Sequence, residues 1–112
     1  MDWRERVDRE LATAEAAKTR GNEGMARVCA RRAAGWTVQA YLANKGIDLE
    51  SSSVLEQMRT MLKIEGLGLK SKRILEHMLV AKEEGEDGGD SYFPLDVDLV
   101  AEARQLVAEL FP

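Results

Sequence analysis

The sequence predicts an all-α fold, an up-and-down bundle of about five helices forming one domain over residues 1–112. Three observations carry this prediction. Apolar residues recur at steps of three and four along most of the chain. Capping patterns and glycines divide those stretches at intervals suited to short turns. No segment alternates with the period of two that a half-buried strand requires.

The first helix is expected over about residues 2–20, where Trp3, Val7, Leu11 and Ala14 form one stripe. Asp2 followed by Glu5 has the form of a capping box, and Gly21, Asn22 and Gly24 end the pattern. The second helix, about 23–45, carries Met25, Cys29, Ala33, Trp36, Ala40 and Ala43 on one stripe. Val28, Ala34, Val38, Tyr41 and Leu42 form a second. A helix apolar on most sides must be enclosed on most sides, by a central position, by a subunit interface, or by both. Asn44-Lys45-Gly46 supplies its stop, with Lys45 suited to the negative end of the helix dipole.

After the polar Ser51–Ser53 connector, Ser53 and Glu56 make a second capping box for a helix over about 54–65 built on Val54, Leu55, Met58, Met61 and Leu62. Gly66 and Gly68 interrupt it. A fourth helix, about 71–84, presents Ile74, Leu75, Met78 and Leu79. The acidic EEGEDGGD stretch after it is expected to be a mobile loop. The last helix, about 96–111, takes Asp96 as its cap and Val97, Val100, Ala103, Val107 and Leu110 as its stripe. Met25, Met58, Met61 and Met78 fall on these stripes and are expected to fill the core.

Composition narrows the function classes. With 45% apolar and 32% charged residues, the chain matches a globular protein able to bury roughly two thirds of its unfolded surface. The single Cys29 cannot form an internal disulfide and fits a reducing, cytoplasmic setting. One histidine and no paired-cysteine spacing predict neither a metal site nor a cofactor. The charged start MDWRERVDRE predicts no signal peptide, and no run is long and apolar enough to span a membrane. The net charge of −4 is uneven: residues 1–45 hold nine basic against six acidic residues, and 46–112 hold seven against fourteen. A uniformly basic nucleic-acid binder would not show this division, and the first two helices alone have the charge for a basic face. The glycines of EGLGLKSK lack the spacing and preceding strand of a phosphate loop. Pairs such as Glu83-Glu84 or Asp96 and Asp98 stand in loops or at helix starts, where they complement the dipole and do not suit a hydrolase pair.

The stretch GNEGMARVCARRAAGWTVQAYLANKG and the later DSYFP together resemble the HEPN (higher eukaryotes and prokaryotes nucleotide-binding) domain family. The first resembles that family's second helix, and DSYFP is similar to its arginine-tyrosine-proline turn. The resemblance implies a helical bundle that usually forms a homodimer. It also implies a small nucleotidyltransferase as partner in a toxin–antitoxin pair, and in active members RNA cleavage by an arginine and a histidine with four to six residues between them. The chain departs from the pattern where chemistry is carried. Gly35 stands at the glutamate position, Gln39 near the lysine, Ser53 near a frequent histidine, and Ser91 at the turn arginine, with Phe93 before Pro94. Arg73 and His77 are separated by three residues, so the RNase motif is absent.

The expected function is a non-catalytic, dimeric nucleotide- or protein-binding module. The candidate ligand-binding residues are Arg27 and Arg31 on the second helix, beside Arg20 and Arg32, together with Tyr92 and its neighbour Phe93 for stacking. The alternatives are an RNase toxin with a displaced set, Arg73, His77 and Tyr92 supported by Lys70 and Lys72, and an unrelated helical adaptor. A nucleotide or RNA is the expected ligand class.

Overall fold

The computed structural model describes residues 2–47, 53–88 and 97–112, and these form five helices with no strand. The first, α1 (Trp3–Thr19), starts at Asp2, whose carboxylate accepts from the Arg4 N–H at 3.4 Å. It buries Val7, Leu11, Ala14 and Ala17. Gly21 ends it in the left-handed region at φ +81°, which lets its N–H bond to Lys18 and the Asn22 N–H bond to Ala17. Asn22 then caps α2 (Glu23–Asn44) by accepting from the Met25 N–H at 3.1 Å. One residue thus closes one helix and opens the next, and α1 and α2 form a tight helical hairpin.

Helix α2 occupies the centre. It packs against α1, α3 (Val54–Leu62) and α5 (Leu99–Leu110), burying Ala26, Cys29, Ala30, Ala33, Ala34, Gly35, Thr37, Val38 and Leu42. The small residues Ala26, Ala30, Ala33 and Ala34 let neighbouring backbones approach closely, because interaxial distance follows the side chains at the crossing. Thr37 is tolerated in the core because its hydroxyl donates to the Ala33 carbonyl at 2.9 Å. Of the two ways to enclose so apolar a helix, the central position accounts for its burial within a single chain. The end of α2 repeats that of α1, with Gly46 at φ +74° and the Ile47 N–H bonded to Leu42.

Ser53 caps α3, accepting from the Glu56 N–H, as its sequence pattern predicts. Helix α4 (Leu69–Gly88) starts earlier and runs further than expected, so EEGEDG, residues 83–88, belongs to a helix and not to a loop. Helix α5 starts at Leu99, with Asp98 as its cap: the Asp98 carboxylate accepts from the N–H groups of Val100 and Ala101. The expected cap, Asp96, lies outside the described residues, as do Ser51, Ser52 and the DSYFP turn. The α5 stripe also shifts, since Leu99 and Leu106 join Val100 and Ala103 in the core while Val107 and Leu110 are only half-buried.

Met58, Met61 and Met78 are fully buried, as expected, but Met25 is 42% exposed, and Ala43 also faces solvent. Both sit within the first or last turn of α2. The chain ends meet through aromatic rings: Phe111 stands 4.5 Å from Trp3 and 6.2 Å, edge-on, from Tyr41.

Candidate functional site

Four α2 residues, Arg32, Gly35, Trp36 and Gln39, fall at the i, i+3, i+4, i+7 spacing of one helix face. Glu10 reaches that face from α1, and Val54 and Gln57 reach it from α3. Together they line a cleft of about 370 Å³. That volume lies within the range of small-molecule sites. Its walls combine an indole, a carboxylate, a guanidinium and two amides, and Gln57 is almost wholly buried.

Gly35 sets the shape. A Cβ on it would lie 3.1 Å from both methyl carbons of Val54, so α2 approaches α3 across a position that a larger side chain would obstruct. The electrostatics are loosely balanced. Arg32 stands 4.0 Å from Glu10, with their side chains 62% and 25% exposed, and a pair at that distance and exposure is weak. The guanidinium of Arg6 lies 4.5 Å from the centre of the Trp36 ring, a contact contributing about 0.5–1 kcal/mol at an exposed site. Cys29 is buried on α2, one turn before Arg32. Burial pushes its thiol up, and the charge and hydrogen bond of Glu10 push it further, so the thiol stays protonated and unreactive near neutral pH.

A second, smaller cleft of about 200 Å³ lies between α1, α2 and the start of α5, lined by Lys18, Glu23, Arg27 and Asp98 among others. The Lys18 ammonium donates to the Asp98 carboxylate, which raises the Lys18 pKa. For Asp98, partial burial acts upward. The Lys18 hydrogen bond, the Ala101 N–H, the Lys18 charge and the Val100 N–H outweigh it and hold the carboxyl below its ordinary 3.8. Two anions offset two cations here, so the charge pattern does not favour an anion.

The structure disperses the residues singled out by sequence. Arg27 lines the smaller cleft, while Arg31 is half-buried and lines neither. Arg20 and Arg73 are exposed. Tyr92 and Phe93 lie outside the described residues. His77 turns toward α5: its Nδ1 stands 2.8 and 3.0 Å from the two oxygens of Glu102, with the side chains only 16% and 18% exposed. A carboxylate only accepts, so Nδ1 is the donor, and the neutral tautomer with that proton has Nε2 as its acceptor nitrogen. No described contact joins His77 to Arg73. The Glu102 carboxylate also opposes an anion at that place.

Of the positions where the chain departs from the HEPN pattern, Gly35 and Gln39 line the larger cleft, Ser53 does not, and Ser91 lies outside the described residues; Glu10 brings a carboxylate to the cleft from a different helix. The spacing of Arg32, Trp36 and Gln39 on one face was a signal available in the sequence. Glu10, Gln57 and the His77–Glu102 pair had none, since packing alone joins them. Among the described residues no three His, Cys, Asp or Glu side chains gather as metal ligands, and no helix is long and apolar enough to cross a membrane. Compared with models of protein families, with curated proteins and with solved structures, the chain matches none.

Proposed function

We propose that this chain is a non-catalytic, HEPN-like binding module whose ligand, a nucleotide, occupies the cleft between α1, α2 and α3. The observation supporting this reading is the make-up of the cleft. Trp36 offers an aromatic surface for a base, Gln39 offers an amide donor and acceptor, and Arg32 offers a guanidinium at the mouth for phosphate. Calorimetric titration of the purified protein with nucleoside monophosphates tests it. Binding that Trp36→Ala abolishes is expected, and no heat with any of them at millimolar concentration refutes the reading.

The proposal includes a cytoplasmic location, for which the lone buried Cys29 speaks. A homodimer and a small nucleotidyltransferase partner follow from the resemblance. The central placement of α2 removes one physical reason for requiring a second subunit, and light scattering at micromolar protein decides between the two masses. A second reading, an RNase with a displaced site, draws on His77, whose Nδ1–carboxylate bond orients Nε2 as a general base would be oriented. RNA cleavage lost in His77→Ala would promote it; no cleavage of mixed RNA dismisses it.

A further inference from the structure

We infer that the cleft between α1, α2 and α3 selects a guanine-type base, a planar ring presenting two adjacent N–H donors, through the carboxylate of Glu10; the inference rests on the nucleotide-binding reading above. Among the described residues, Glu10 is the only carboxylate lining the cleft, and its one described ion pair is the loose 4.0 Å contact with Arg32. An ionised carboxylate has two oxygens with about four lone-pair sites and no donor. Those acceptors stand in the lining of the cleft.

Base edges differ in how they meet such a group. Guanine sets N1–H beside its exocyclic amino group, so two parallel N–H bonds reach one carboxylate, the neutral counterpart of the fork that arginine makes. Adenine offers an amino group beside an unprotonated ring nitrogen, whose lone pair would face the carboxylate. Hypoxanthine keeps N1–H but lacks the amino group. Cytosine likewise sets its amino group beside an acceptor nitrogen. Only the guanine pattern satisfies both carboxylate oxygens without placing lone pair against lone pair.

The other walls complement the rest of such a ring. The Trp36 indole offers stacking surface that any base can use and so adds affinity without choice. The exposed amide of Gln39 carries donors for the carbonyl and ring-nitrogen acceptors of guanine. Arg32, mostly exposed at the mouth, and Arg6, on the Trp36 ring, place two guanidiniums where a phosphate would leave the cleft. Gly35 keeps the space between α2 and α3 clear of a side chain.

The test is calorimetric titration of the full chain with GMP, IMP and AMP, with a short single-stranded oligouridine carrying one central guanosine as a further arm. GMP is expected to bind about tenfold or more tightly than IMP or AMP, because a site built for a donor leaves its acceptor unpaired when the donor is missing. Glu10→Gln, checked for an unchanged melting curve, is expected to weaken GMP and to remove its advantage over IMP. The comparison of GMP with IMP needs no variant and stands even if Glu10→Gln folds poorly. Tighter binding of the oligonucleotide assigns the base to an RNA strand, and equal or weaker binding assigns it to a free nucleotide; either supports guanine selection. IMP or AMP binding as tightly as GMP, or a GMP preference that survives Glu10→Gln, overturns the inference and leaves nucleotide binding standing. Absence of binding by every nucleotide overturns both.

Discussion

A methyl group placed on Gly35 sets helix propensity against packing, and the structure supplies both sides. In a helix interior, Gly→Ala is worth about 1 kcal/mol of stabilisation from propensity alone. At this position the new carbon would meet both Val54 methyl carbons at 3.1 Å and the Val54 Cβ at 3.7 Å. Overpacking of that kind costs about 1–3 kcal/mol when the neighbours cannot yield. Val54 is half-buried in the first turn of α3 and can move by a few tenths of an ångström, so the expected net effect of Gly35→Ala is a loss of about 0–2 kcal/mol. A double-mutant cycle separates the terms. Val54→Ala removes both opposing methyl groups, and in that background Gly35→Ala should stabilise by about 1 kcal/mol. Urea denaturation of the four proteins reads the coupling, expected at about 1–3 kcal/mol. Stabilisation by the full propensity term in both backgrounds would refute the close approach of α2 to α3, and with it the shape assigned to the cleft.

The core makes a second prediction: Leu42, fully buried on the central helix, should cost about 2–5 kcal/mol as Leu42→Ala in the same assay. Trp36 lines the cleft and is only half-buried, so Trp36→Ala should cost about 2 kcal/mol, below the 3–5 typical of a fully enclosed aromatic. A third concerns pH. A carboxyl held below its unfolded value adds stability that is complete above the ordinary carboxylate range and is lost as pH falls through the folded pKa, so Asp98 contributes to acid unfolding. Asp98→Asn keeps a capping oxygen and drops the titration, so its melting temperature should fall less steeply than wild type from about pH 5 downward. Replacing the α4–α5 tie by His77→Leu leaves Glu102 without its partner in a part-buried site. It should destabilise by about 1–3 kcal/mol in urea, more than His77→Leu in a Glu102→Leu background.

Local signals and inter-helix geometry divided the reading of this chain. Ser53, Gly21 and Gly46 were recognisable because a cap or a left-handed stop acts within a few residues of itself, and each does so in the structure. Asp98 displaced Asp96 as the α5 cap because two acidic residues two positions apart offer the same local chemistry. Packing against α4 and α2 fixes which turn begins the helix. The acidic end of α4 stayed helical to Gly88, where composition alone suggested a loop. Met25 carried the right period, but period does not reveal how far a neighbouring helix extends.

The all-helical class, the five segments and the need to enclose α2 were properties of the sequence, because apolar spacing and turn chemistry are written over one or two helical turns. The tertiary structure decided that α1, α3 and α5 do the enclosing, that Glu10 and Gln57 join Trp36 around one cleft, and that His77 faces Glu102 and not Arg73. Those meetings depend on the rotation and crossing of helices that are distant along the chain. A change of one residue in register turns a side chain by about 100° around its helix, which the linear pattern of any one segment does not contain.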